Sequence, residues 1–184
     1  MANRINRIIR PDTGRTLMFA VDHGYFMGPT TGLEKLDETV TPLLPYADSL
    51  MLTRGALRYY VTPKIDTPII LRVSGGTSIL NKDMLHEGIV AGIEDAIRLN
   101  VAAVAFSIMV GADYERDTLL GFTEVVDMAE RYGIPTLAVT AVGKELVRDA
   151  KYLSLASRIA AELGARIVKT YFCDGFEKVI QSCP

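Results

Sequence analysis

The 184-residue chain has no tryptophan, two cysteines and two histidines. Cys173 and Cys183 lie ten apart near its end, a spacing that suggests neither a disulfide framework nor a zinc site. His23 and His86 fall in different segments and are too few for a typical catalytic zinc, which takes three protein ligands, so no metal is expected. No excess of one charge sign is present: 20 basic residues face 22 acidic ones, without a polybasic run. Nucleic acid and anionic membrane surfaces are therefore not expected partners. No apolar run is long enough to span a bilayer, and Met1 to Arg10 alternates Arg and Asn with Ile rather than forming a secretory signal. A reducing cytoplasm is the compartment these absences favour.

What is there is a chain that is 49% hydrophobic and 23% charged, the balance of one globular domain. Short β-rich apolar runs recur at Thr16–Val21, Ser49–Thr53, Pro68–Val73, Ala102–Ile108, Pro135–Thr140 and Arg166–Tyr171, and predict six strands. Several are apolar on both faces, as in a parallel sheet covered on each side. Amphipathic stretches between them, Ile89–Leu99, Tyr114–Tyr132 and Tyr152–Leu163, predict helices. Gly133 and Gly164, each just before a strand, fit left-handed helix caps. The strand ends Asp22, Thr53, Ser74, Ser107, Thr140 and Thr170 recur at intervals of 21 to 33 residues, close to a βαβ repeat.

Six such units fit either an open doubly wound sheet or part of an eight-unit barrel. A dinucleotide-binding sheet places G-x-G-x-x-G after its first strand, whereas here Asp22-His23-Gly24 stands there, which counts against that fold. A (βα)8 TIM barrel needs about 250 residues. The expectation is thus one domain over residues 1–184, a partial TIM barrel truncated after about six βα units. The chain stops at Pro184, after the helix-like stretch Phe176–Gln181, where a further strand is expected.

Lys169 stands inside the apolar run Ala165–Phe172, among residues that would form a desolvated wall. A lysine attacks a carbonyl as its neutral amine, which burial favours; the alternative is a lysine that snorkels from the strand end or pairs with a carboxylate. Asp22 ends the first strand, where barrel active sites assemble, and fits a proton carrier or equally a helix cap. Arg72 is mid-strand and needs either an ion-pair partner or a substrate anion. Ser74-Gly75-Gly76-Thr77 fits an anion-binding turn or a plain tight turn. His23, Arg72 and Ser74 are the candidate substrate contacts. Lys144 is a rival amine in a polar context, and Cys173 is either an acyl-accepting thiol or packing.

Asp22-His-Gly-Tyr-Phe-Met-Gly-Pro-Thr-Thr-Gly-Leu-Glu34 resembles the DeoC/FbaB-type aldolase family, and in particular its autoinducer-2 catabolic thiolase branch. The likeness continues through Leu52-Thr-Arg-Gly55, Leu71-Arg-Val-Ser-Gly75, Ala138-Val-Thr-Ala-Val-Gly-Lys144, Ser154-Leu-Ala-Ser-Arg-Ile-Ala-Ala161 and Ile167-Val-Lys-Thr-Tyr171. The resemblance implies a (βα)8 barrel in which Lys169, on strand six, forms a Schiff base and Asp22 assists proton transfer. Aldolases of the family carry a tyrosine acid after strand five, where this chain has Thr140-Ala-Val-Gly143. For the thiolase branch, it implies acetyl transfer from 3-hydroxy-5-phosphonooxypentane-2,4-dione to coenzyme A, leaving dihydroxyacetone phosphate. Coenzyme A is then a co-substrate with no bound cofactor, and the protein a cytoplasmic homo-oligomer, typically a decamer. The competing expectations are a class I aldolase acting on another phosphorylated sugar, such as fructose 1,6-bisphosphate, and a non-catalytic phosphosugar-binding barrel.

Overall fold

The computed structural model describes residues 1–61, 66–142 and 149–183. In chain order they form helix α1 (Ala2–Ile8), strand β1 (Met18–Ala20), the short helices α2 (Gly24–Met27) and α3 (Leu36–Val40), a 3₁₀ turn (Thr41–Tyr46), β2 (Ser49–Thr53) and α4 (Arg54–Tyr59). There follow β3 (Ile69–Arg72), β4 (Ser74–Gly75), β5 (Gly88–Ile89), α5 (Ile93–Arg98), β6 (Ala103–Val110) and α6 (Glu115–Arg131). The chain continues through β7 (Thr136–Val142), α7 (Ala150–Glu162), β8 (Ile167–Lys169) and α8 (Phe176–Ser182). β1, β2, β3, β6, β7 and β8 make one parallel sheet in that order, matching the six expected strands and their one-after-another succession.

The period-two alternation of a strand decides what each face carries. Met18, Ala20, Met51, Ile70, Ala105 and Leu137 share one face in a small cluster, and Ile8 at the end of α1 plugs it. Their neighbours Phe19, Leu50, Leu52, Leu71, Phe106 and Ala138 point the other way, into the larger cluster beneath the helices. β6 is buried along all eight residues, as a central parallel strand should be. On α6 the residues Thr118, Phe122, Val125, Val126 and Ala129 are buried, at the three-to-four spacing of a helix face. Asp149 caps α7 by accepting the Lys151 N–H at 2.8 Å. Gly133 (φ +62) and Gly164 (φ +101) adopt the left-handed conformation at the ends of α6 and α7.

Two expectations need correction. The helix expected over Ile89–Leu99 is confined to α5, because Gly88–Ile89 pair antiparallel with Ser74–Gly75 instead. The first two residues of the expected Ser74–Thr77 turn, Ser74 and Gly75, are thus a strand of a small two-stranded ribbon that leaves the main sheet after β3. Lys169 is exposed rather than desolvated. β8 is an edge strand bonded only to β7, so its residues are covered on one flank alone.

Candidate active site

The side chains that continue the inner face beyond the strand ends meet at one cavity of about 210 Å³. Asp22 follows β1, Arg72 ends β3, Ser107 and Met109 lie on β6, Val139 and Ala141 on β7, and Lys169 ends β8. The sheet curls enough for its two edge strands, β1 and β8, to contribute to the same wall. His23, Tyr25 and Phe26 close one side, and Met84, Leu85 and Glu87 reach in from the segment between β4 and β5. Parity alone aligns these residues: Ala105 and Ser107, Ile70 and Arg72, and Ile167 and Lys169 are each two apart on one face.

Arg72 is the hub. It is 5% exposed, and its guanidinium is shared between two carboxylates: Nη1 lies 3.3 Å from Asp22 Oδ2, and Nη2 lies 3.1 Å from Glu87 Oε2. Nη2 also donates to the Tyr25 hydroxyl at 2.5 Å and to Ser107 Oγ, and Nε donates to the Ser74 carbonyl at 3.3 Å. The Tyr25 hydroxyl donates to Glu87 Oε1, and its ring lies under the Arg72 guanidinium with Cζ 4.8 Å from the centroid. Burial pushes the Tyr25 phenol well above its ordinary range; the Arg72 charge opposes that shift and the nearby Glu87 and Asp22 carboxylates add to it. The phenol therefore stays protonated and serves as a fixed donor.

Of the expected site residues, Asp22, His23, Arg72 and Lys169 come together at this cavity. Asp22 is buried and does not cap α2, whose N-cap is His23 without a side-chain bond; its carboxylate faces Arg72. His23 is exposed at the rim. Ser74 is set apart from the others. Its hydroxyl donates to Glu87 Oε2 at 2.6 Å and accepts the Ser107 N–H at 3.0 Å, and it lines an adjoining cavity of about 220 Å³, on the side of Tyr25 and Arg72 that faces Arg54. It supports the network rather than bordering the space beside Lys169. Cys173 is packing, buried with Leu153 and Val179. His86, the other imidazole, stacks on Tyr114 with centroids 3.9 Å apart, away from the cavity lining. Lys144 lies outside the described residues.

Sequence reasoning missed Glu87, Ser107 and the part played by Tyr25. Ser107 was findable, since it stands at a strand end with the parity of the inner face. Glu87 was not, because it follows a polar segment with no periodicity, and a two-residue strand gives none.

Residues 16–183 match the family model described as DeoC/LacD family aldolase. The 3-hydroxy-5-phosphonooxypentane-2,4-dione thiolase of Enterobacter sp. (strain 638) is 54% identical over 185 residues, spanning 100% of this chain and 62% of the relative. The protein of that name from Photorhabdus laumondii is 51% identical, with 63% of its length covered. The chain thus spans less than two thirds of the length of the curated relatives it matches. A solved archaeal fructose-1,6-bisphosphate aldolase, with its catalytic lysine covalently bound to the carbinolamine intermediate, superposes with a TM-score of 0.85 at 20% identity, over 98% of this chain and 75% of the other. That likeness carries the fold, a curled six-stranded part of an aldolase barrel. With a family model spanning nearly all its residues, the chain belongs to the DeoC/LacD aldolase family.

Proposed function

We propose that this chain carries the Schiff-base machinery of an enzyme that transfers an acetyl group from 3-hydroxy-5-phosphonooxypentane-2,4-dione to coenzyme A. The observation that carries the reading is the single cavity lined by Lys169, Asp22 and Arg72. The relatives of about 50% identity that bear the name of this thiolase support the substrate.

The chemistry follows from what those groups can do. The neutral amine of Lys169 condenses with the C4 ketone of the dione, expelling water and leaving an iminium. The thiolate of coenzyme A adds to the C2 carbonyl, the C2–C3 bond breaks, and its electron pair passes into a C3=C4 enamine. Acetyl-CoA departs. Protonation at C3 and hydrolysis of the imine release dihydroxyacetone phosphate and restore the amine; in the balance, the proton lost by the thiol is the one gained at C3. Asp22 is the carboxylate placed to move that proton. Arg72 Nη1 faces the Asp22 carboxylate at 3.3 Å, where it can also meet a substrate oxygen, and His23 stands at the rim. Coenzyme A is a co-substrate in this scheme, no resident cofactor or metal is required, and the protein acts in the cytoplasm as a homo-oligomer, a decamer at full length. No helix among the described residues is long and apolar enough to cross a membrane.

A class I aldolase acting on fructose 1,6-bisphosphate would share the imine but needs an acid at the end of the fifth strand of the sheet, β7, where Thr140 and Ala141 stand. Borohydride reduction of the chain with dihydroxyacetone phosphate should add mass to the peptide containing Lys169, and Lys169→Ala should abolish the label. Label on Lys144 in its place would overturn the assignment. Acetyl-CoA formation from the dione, set against cleavage of fructose 1,6-bisphosphate, separates thiolase from aldolase in a chain extended to its relatives' length.

A further inference from the structure

Glu87 is 5% exposed and accepts from every direction. Oε1 receives the Tyr25 hydroxyl and, at 3.3 Å, Arg72 Nη2; Oε2 receives Ser74 Oγ at 2.6 Å and Arg72 Nη2 at 3.1 Å. Three side chains, Tyr25, Ser74 and Arg72, thus engage this buried carboxylate, which occupies it with protein partners. What it does hold is Arg72. With Nη2 given to Glu87, Tyr25 and Ser107 and Nε given to Ser74, the guanidinium cannot turn, and Nη1 is presented to Asp22.

We propose that Glu87 is a positioning residue that fixes Arg72 against Asp22. The proposal rests on the reading of Asp22 as the proton carrier beside Lys169. The titratable and charged groups that line the cavity with Asp22 are Arg72 from β3, Glu87 from the segment before β5, Tyr25 from α2, Lys169 and Tyr171 from β8 and the residues after it, and the adjacent His23. Glu87 and Asp22 form two carboxylates around one guanidinium. Removing the charge at 87 releases one side of the guanidinium and lets it turn, so Asp22 loses the partner that holds it in place, and proton transfer to and from the enamine slows while imine formation at Lys169 continues.

The test pairs borohydride trapping with proton exchange. With dihydroxyacetone phosphate in heavy water, Glu87→Gln should still be trapped at Lys169 by borohydride yet exchange the C3 proton of the bound substrate at least tenfold more slowly. Glu87→Asp, which keeps the charge but withdraws it from Arg72, should slow exchange less, and decides the matter alone if Glu87→Gln does not fold. Unchanged exchange overturns the role of Glu87, whereas absence of trapping in the unaltered chain overturns the imine at Lys169 instead.

Discussion

Gly75 lies against the ring of Tyr25, where a Cβ would stand 3.2 Å from Cδ2 and 3.4 Å from Cε2. The backbone of β4 approaches this closely because no side chain intervenes. Tyr25 cannot yield without cost, since its hydroxyl bonds both Glu87 and Arg72. Gly75→Ala should therefore destabilise the chain by about 1–3 kcal/mol, the usual range for overpacking, measured as a lower urea midpoint at unchanged slope. An unaltered midpoint would mean that the ring moves freely. At this scale the sequence was partly readable. Asp22, Arg72 and Lys169 stand out because charged groups inside apolar strands demand a partner or a function. Glu87 does not, because an acid in a polar loop is the commonest of surface residues, and only the fold reveals that it is enclosed.

Between elements, one carboxylate joins two helices. Asp95 of α5 is buried and ion-paired at 2.7 Å with each of Arg54 and Arg58 from α4 and Arg98 from its own helix. Hydrogen bonds from Arg54, then Arg98, hold its pKa down from 3.8 to about 2. A carboxylate of depressed pKa contributes stability that is fully present above its unfolded pKa and is lost as pH falls through the folded one. Asp95→Asn should accordingly melt below the unaltered chain by a constant margin above pH 4, and that margin should close between pH 4 and 2. Thermal unfolding across pH checks this, and a margin independent of pH would show that packing, not charge, is lost. The long helices α6 and α7 were legible because two or more turns repeat a periodic pattern. The helices α1 to α4 span four to seven residues, too few for periodicity to distinguish them from loops. The β4–β5 ribbon escaped for the same reason, and its pairing shortened the helix expected from Ile89.

Across the whole molecule the sheet has two edges, β1 and β8, and the lysine assigned the covalent step sits on one of them. The common direction of the strands followed from the regular interval between apolar runs, a property of the repeat that survives any local error; their order followed only once the absent G-x-G-x-x-G and the family resemblance decided for a barrel over an open doubly wound sheet. The exposure of Lys169 did not, because burial depends on neighbours across the sheet and not on the strand's own residues. A strand laid against β8 would cover that flank and satisfy its open backbone groups. In the chain extended to the full length of the Enterobacter relative, the β8 amides should exchange with solvent at least tenfold more slowly than in the chain alone, read by hydrogen exchange. Equal rates would mean that nothing pairs there. The buried charge cluster also has a history along the chain. Glu87 meets Ser74 across 13 residues and Arg72 across 15, but Tyr25 only across 62, while Arg72 and Tyr25 are 47 apart. Closing a longer loop sacrifices more chain entropy, so the short closures that bring Glu87 to Arg72 come at lower cost than the one that seats Tyr25 on both. On loop closure alone, the carboxylate and the guanidinium are expected to meet first, with the ring of Tyr25 closing last, as the latch on a pair already made.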